Sequence, residues 1–141
     1  MIRLQLQSLG GTKFDDDVAE VLLPTMDGEI GVLTGHMPLI AVAVPGVIKV
    51  RMKPNDPDDY REFFAVNGGV IEVADNVLSV MVDDADHADE ISEAEAQKAF
   101  ELAKKMKEEA KDKVSLDHAQ SLIDRHAVRL QVAGLKRRTR R

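Results

Sequence analysis

The chain has 141 residues, 44 % hydrophobic but only 4 % aromatic, with a formal charge of −6. It has no cysteine, which excludes a disulfide scaffold, a thiolate metal site and a cysteine nucleophile together. No apolar run approaches the roughly 20 residues of a membrane span, and "MIRLQLQSLG" alternates too regularly for a signal peptide, so a soluble, intracellular chain is expected.

From the start to Val82 the hydrophobic pattern has period two. "IRLQLQ" (2–7), "VIKVRM" (47–52), "REFFAVNG" (61–68), "GVIEV" (69–73) and "NVLSVMV" (76–82) are short, Val/Ile-rich and predicted as strands. Between them stand Gly10-Gly11, Asp27-Gly28, Pro45-Gly46, Pro54-Asn55-Asp56-Pro57, Asn67-Gly68-Gly69 and Asp75-Asn76, read as turns. The acidic runs "FDDDVAE" (14–20) and "NDPDDY" (55–60) lack the alternating carboxylates and central glycine of a calcium loop. They are expected to be solvated turns that blunt edge strands.

After "VDDADHADE" (82–90) the period changes to that of a helix. "ISEAEAQKAFELAKKMKEEAK" opens with Ser92 as a cap and Glu95 three residues on, then places Ala99, Ala103, Met106 and Ala110 at helical spacing. A second helix is expected after Ser115, with Leu116, Ala119, Leu122, Ile123, Ala127 and Leu130 as its inner stripe. Val128, Val132 and Leu135 fall off that stripe and are read as apolar surface kept for another partner. The join at 111–116 has no glycine or proline, so the break is weakly encoded, and a continuous helix of roughly 65 Å is the other accessible form. The fold class is therefore β and α in separate domains. An antiparallel β-sandwich or flattened barrel spans 1–84, a linker 85–90, and a two-helix antiparallel hairpin 91–141.

Charge follows this division. Residues 1–85 hold six Lys/Arg against fourteen Asp/Glu, whereas residues 125–141 hold seven basic side chains and no acidic one. Arg125 and Arg129 lie one helical turn apart and extend the basic tail "KRRTRR" (136–141). That tail has no interleaved aromatics, and an acidic body repels a phosphate backbone, so an acidic protein surface suits it better than nucleic acid. Chemistry is poorly supplied. Gly28, Gly31 and Gly35 do not form a phosphate loop and precede no helix. His36 has only Thr34 and Glu29 as local candidate partners for catalysis, and His36, His87, His118 and His126 are scattered without metal-ligand spacing, so a surface or turn histidine is the default. No catalytic residue and no metal site is expected.

The blocks "VLLPTMDGEIGVLTGHMPLIAVAVPGVIKV" (21–50) and "FFAVNGGVIEVADNVLSVMVDDA" (63–85) closely resemble the ε subunit of F-type ATP synthases. That family carries a GE(I/L)GVL–GH–PL segment, then PG, then a GG–(E)V hairpin, all present here in order. The resemblance implies a non-catalytic rotor subunit at the cytoplasmic side of the bacterial inner membrane, coupling proton-driven c-ring rotation to the catalytic head through γ. It implies that Asp27, Gly28, Glu29, Gly31 and His36 form the rotor interface, in a loop at one end of the sandwich. Glu29 would face the c-ring and His36 would lie near γ. The hairpin would be a candidate inhibitor of ATP hydrolysis, with Arg125, Arg129, Lys136, Arg137 and Arg138 meeting the α/β catalytic subunits when extended. Some members bind ATP through (I/L)DxxRA; here Ser92 and Glu95 replace its Asp and Arg, and Asp86 replaces an upstream Glu. Arg125 and Arg129 still match distal arginines, yet a carboxylate at 95 opposes phosphates, so weak or absent ATP binding is expected. The alternative reading is a free-standing β-sandwich adaptor that binds an acidic partner through its basic helical end.

Overall fold

In the computed structural model the described residues are 1–139, with only the backbone of 137–139 described. Eight strands precede two helices: β1 (Ile2–Ser8), β2 (Gly11–Val18), β3 (Glu20–Thr25), β4 (Gly28–Leu33), β5 (Leu39–Arg51), β6 (Glu62–Ala74), β7 (Val77–Val82), β8 (Ala85–His87), α1 (Glu93–Glu109) and α2 (Lys113–Thr139). The strands run β2-β1-β7-β6-β5-β3-β4, with β8 also on β6. Pairing is antiparallel except between β1 and β7, which are parallel. The sheet is a sandwich and does not close into a barrel: β2 and β4 remain edges.

One sheet encloses a core only by folding on itself, and three strands show where. In β5 the inward residue Ala43 is odd-numbered while Ile48 and Val50 are even. In β6 the switch is from Phe64 and Val66 to Ile71 and Val73, and between β7 and β8 from Val80 and Val82 to Ala85. Side chains in a regular strand keep one parity per face, so each strand bends between those positions. The bends share one level, because Pro45 pairs with Asn67 and the β3–β5 ladder shifts register between Leu22 and Thr25. Pro45-Gly46 and Asn67-Gly68-Gly69 are thus creases inside long strands, not the chain reversals expected. A proline that offers no N–H and glycines that admit close backbone approach serve both purposes. The core inside the crease joins Ile2, Leu4 and Leu6 of β1 with Val21, Leu23 and Val32 across the sandwich.

Two acidic stretches differ in outcome. The segment 14–20 is mostly strand β2, whose Asp15, Asp16 and Asp17 point into solvent along an edge, with Arg3 Nε 2.8 Å from Asp15. Charge there protects an edge from further pairing, a role that alternation alone does not distinguish from a turn. Segment 55–60 is irregular and ends in a short 3-10 turn, Asp58–Tyr60, whose Asp58 pairs with Arg51 and Arg61. The turn Asp75-Asn76 is as expected, both residues having positive φ, 51° and 62°.

Residues 85–90 contain strand β8 and a 3-10 turn, Ala88–Glu90. His87 caps that turn: its Nδ1 accepts the Asp89 N–H, and Glu90 accepts the His87 N–H. With Nδ1 accepting, the ring proton sits on Nε2, 2.5 Å from Glu62 Oε2. Ser92 caps α1, its Oγ accepting from Glu95 N. Helix α2 begins earlier than expected, because Asp112 rather than Ser115 caps it, its Oδ1 accepting from Ser115 N at 2.7 Å. The two helices form a hairpin, with Lys107 Nζ 2.7 Å from Gln120 Oε1 and Ala103 and Ala119 fully buried.

Candidate functional site

Helix α2 docks on the outer side of the creased sheet. Val47, Phe63 and Ala65, outward from β5 and β6, meet Val128, Val132 and Ala133, with Leu130 and Leu135 at the margin. The run "FFAV" (63–66) is buried throughout because this part of β6 is covered on both faces. Val128, Val132 and Leu135 therefore face the chain's own sandwich in this structure rather than lying free, and Ala127, assigned to the inner stripe, is exposed. A helix in a hairpin that also lies on a sheet has two apolar stripes: of the expected inner stripe Ala119 is buried and Leu122 and Ile123 are half-buried while Leu116 and Ala127 are exposed, and Val128 and Val132 form the second stripe, on the sheet.

Basic residues border this contact. Arg125 pairs with Asp84, Arg129 Nη1 lies 3.0 Å from Asp86 Oδ2, and Lys136 Nζ lies 3.0 Å from Asp89 Oδ1. His126 sits between the two arginines. Burial first, then the charges of Arg129 and Arg125, hold its imidazole below the ordinary 6.5. Its Nδ1 is buried with no hydrogen-bond partner among the described residues, as is Arg129 Nε. The space enclosed by Asn67, Asp84, Asp86, Arg125 and Arg129 is about 10 Å³, room for one water at most. Ser92 and Glu95 are exposed at the start of α1. The side chains of Arg137 and Arg138 lie outside the described residues.

The stretch "DGEIGVLTGHMPLI" is not a single loop. It comprises the end of a tight hairpin turn, strand β4, a short loop and the start of β5. The buried Thr25 hydroxyl organises the turn, donating to the Gly28 carbonyl at 2.6 Å and accepting from Asp27 N. Gly28 has φ 109°, and Gly31 leaves room for Leu22. Glu29 projects from β4 toward Lys49, 3.4 Å away. His36 lies beyond the far end of β4, its Nδ1 2.7 Å from the Met37 carbonyl. That loop is tied to the β6–β7 turn through Gly35 N and Asn76. Asp27 and His36 thus stand at opposite ends of a six-residue strand, about 20 Å apart.

Between those ends lies a surface that the sequence reading passed over. Val42, Val70 and Met81 are register partners across β5, β6 and β7, and all three are exposed. Ile40 at 77 % and Met26 at 72 % extend the band, and Met26 N bonds to the Val42 carbonyl. A contiguous apolar band on a sheet face signals contact with another protein. The signal was present in "LIAVAV" (39–44): a strand with one wet face alternates, and this one does not.

A rigid sandwich with a bare apolar band, appended to a helical hairpin held by its own charges, is an interaction module in class. The chain belongs to the ATP synthase delta/epsilon family: the family described as "ATP synthase, Delta/Epsilon chain, beta-sandwich domain" matches residues 1–88. In fold it is similar to a chain of the Euglena gracilis mitochondrial ATP synthase, OSCP/F1/c-ring, at 23 % identity and TM-score 0.78, covering 94 % of this chain and 80 % of that one. It is also similar to a chain of the Tetrahymena thermophila mitochondrial ATP synthase central stalk/c-ring, at 19 % identity and TM-score 0.51, covering 62 % and 67 %.

Proposed function

We propose that this chain is a non-catalytic central-stalk subunit that joins γ to the c-ring of an F-type ATP synthase, transmitting rotation as a rigid body. The observation that carries the reading is the exposed band Ile40–Val42–Val70–Met81, flanked at one end of β4 by Asp27 and Glu29 and beyond the other by His36. Apolar side chains on a packed sheet give a buried, water-excluding contact, and the polar residues at its margin fix register against a second partner. Membership in the delta/epsilon family supports this, and the two similar structures belong to assemblies described by F1, c-ring and central stalk. On this reading the band meets γ, with His36 beside it, and the Asp27–Glu29 end meets the polar loops of the c-ring. The chain then lies peripheral to the membrane, at the cytoplasmic side of a bacterial inner membrane. No helix among the described residues is long and apolar enough to cross it.

The helical hairpin is the candidate brake. Undocked, it would present Arg125, Arg129, Lys136 and the tail residues Arg137 and Arg138 to acidic surfaces of the α/β head. We propose that the docked form holds no nucleotide: Arg125 and Arg129 are engaged by Asp84 and Asp86, and the space beside them is water-sized. Calorimetry of the full chain with ATP is expected to show no heat of binding, and a micromolar dissociation constant would contradict this part. The function itself is tested by binding to a γ-containing head lacking this subunit. Val70→Glu, which puts a charge at the centre of the band, is expected to weaken association at least tenfold, since a central contact is lost and a carboxylate is desolvated.

A further inference from the structure

We infer that the docked hairpin is keyed to the sandwich by a three-rung ionic ladder, Asp84–Arg125, Asp86–Arg129 and Asp89–Lys136, which sets its register and makes docking sensitive to ionic strength. This does not depend on the rotor reading, because every rung lies within one chain.

The spacing supports a ladder over three chance contacts. Residues 125, 129 and 136 fall within about 40° of one another around a helix, so they form a single stripe. Along α2 they stand about 6 Å and about 10.5 Å apart at 1.5 Å per residue. An extended chain at about 3.3 Å per residue places Asp84 and Asp86 about 6.6 Å apart and Asp86 and Asp89 at most about 10 Å apart. The first step matches; the 3-10 turn Ala88–Glu90 shortens the second on the sandwich side, where the long Lys136 side chain spans the difference, and both chains run in the same direction. Sliding α2 by one turn leaves at most one Arg–Asp pairing, Arg125 on Asp86 or Arg129 on Asp84, and loses the other two rungs.

The apolar contact beside the ladder has a different role. It is built from Val128, Val132 and Ala133 over Val47, Phe63 and Ala65 and supplies burial that salt does not weaken, so the salt-sensitive part of docking falls to the ladder. Arg129 is the most committed rung: its side chain is 24 % exposed and its Nε is buried without a partner, so its charge relies on Asp86. The flanking rungs, Asp84–Arg125 and Asp89–Lys136, are a third to a half exposed, hence modest and screened by salt, the property that makes the latch releasable.

The absence of cysteine allows two to be introduced for dye labelling of the full chain, Leu9→Cys in the exposed β1–β2 turn and Lys111→Cys at the hairpin bend. Energy transfer between them separates docked from undocked forms. Raising KCl from 50 to 500 mM is expected to increase the undocked fraction roughly three- to tenfold. Asp86→Arg is expected to increase it at least about fivefold at low salt, and Asp86→Arg with Arg129→Asp to return it to within about twofold of wild type. Should Asp86→Arg lose its strand signal, Arg129→Gln replaces it and is expected to raise the undocked fraction while flattening the salt dependence. Transfer unchanged by salt and by either single substitution would overturn the ladder, as would a double variant no better docked than Asp86→Arg.

Discussion

At Gly69 a Cβ would stand 2.1 Å from the Met81 carbonyl oxygen and 2.8 Å from Val82 Cγ1, because β6 and β7 approach at the crease. Gly69→Ala must push that backbone apart, and chemical denaturation is expected to show a loss of about 3 kcal/mol. Gly134 is the opposite case: it lies inside α2 with nothing within 4 Å of its Cβ position. Gly134→Ala is expected to raise stability by about 0.5–1 kcal/mol through helix propensity alone. His126 brings pH into the same helix. Its pKa in the docked protein lies below the ordinary 6.5, so the unfolded or undocked chain takes up the proton first as pH falls. Stability from this group is complete above about pH 6.5 and is lost as pH drops from there toward the lowered native value. Melting followed from pH 8 to pH 5.5 is expected to show this decline, and His126→Gln to remove most of it.

Among elements, the hairpin is the least evenly anchored. Helix α2 lies on the sheet through Val128, Val132 and Ala133, whereas α1 buries fully only Ala96 and Ala103. Amide exchange is expected to be faster throughout α1 than at the centre of α2, since a less buried element opens at lower free energy. The bend between them depends on Asp112, whose carboxyl is held below the ordinary range by hydrogen bonds from Ser115. Asp112→Ala is expected to speed exchange at residues 113–116 several-fold while leaving the middle of α2 unchanged. The sequence carried this much of the hairpin: Ser92, the alanine face of α1 and the change of period were legible. Asp112 was overlooked because Ser115 is an equally good cap residue three positions later. Strand β2 was hidden by its aspartates, which obey the rule for exposed edges and break the rule for strands. The creases were hidden because proline and glycine mark both reversals and bends, and only the pairing partners tell them apart.

For the whole molecule, the outer side of the β5–β6–β7/β8 surface is apolar on both sides of the crease. One half is covered by α2; the other, around Val42, Val70 and Met81, is bare. Period-two alternation and the ATP synthase ε resemblance gave the sandwich and the family, but neither located this band. Its members are separated by tens of residues in the chain and become neighbours only through strand register. The charge asymmetry was legible as a basic end and an acidic body, yet its use within one chain, Arg125, Arg129 and Lys136 against Asp84, Asp86 and Asp89, required the geometry. On the proposed reading, the open half of this outer surface holds one partner while the hairpin on the other half docks or releases.

The most direct test of that claim is the affinity of the full chain for a γ-containing catalytic head depleted of this subunit, compared among wild type, Val70→Glu, Met81→Glu and Gly134→Ala. The account predicts tight binding by wild type and Gly134→Ala, and at least tenfold weaker binding by both band variants, with strand content retained in all four. Equal affinity of the band variants and wild type would contradict it, because the bare half of the sheet would then not be the surface that holds the rotor.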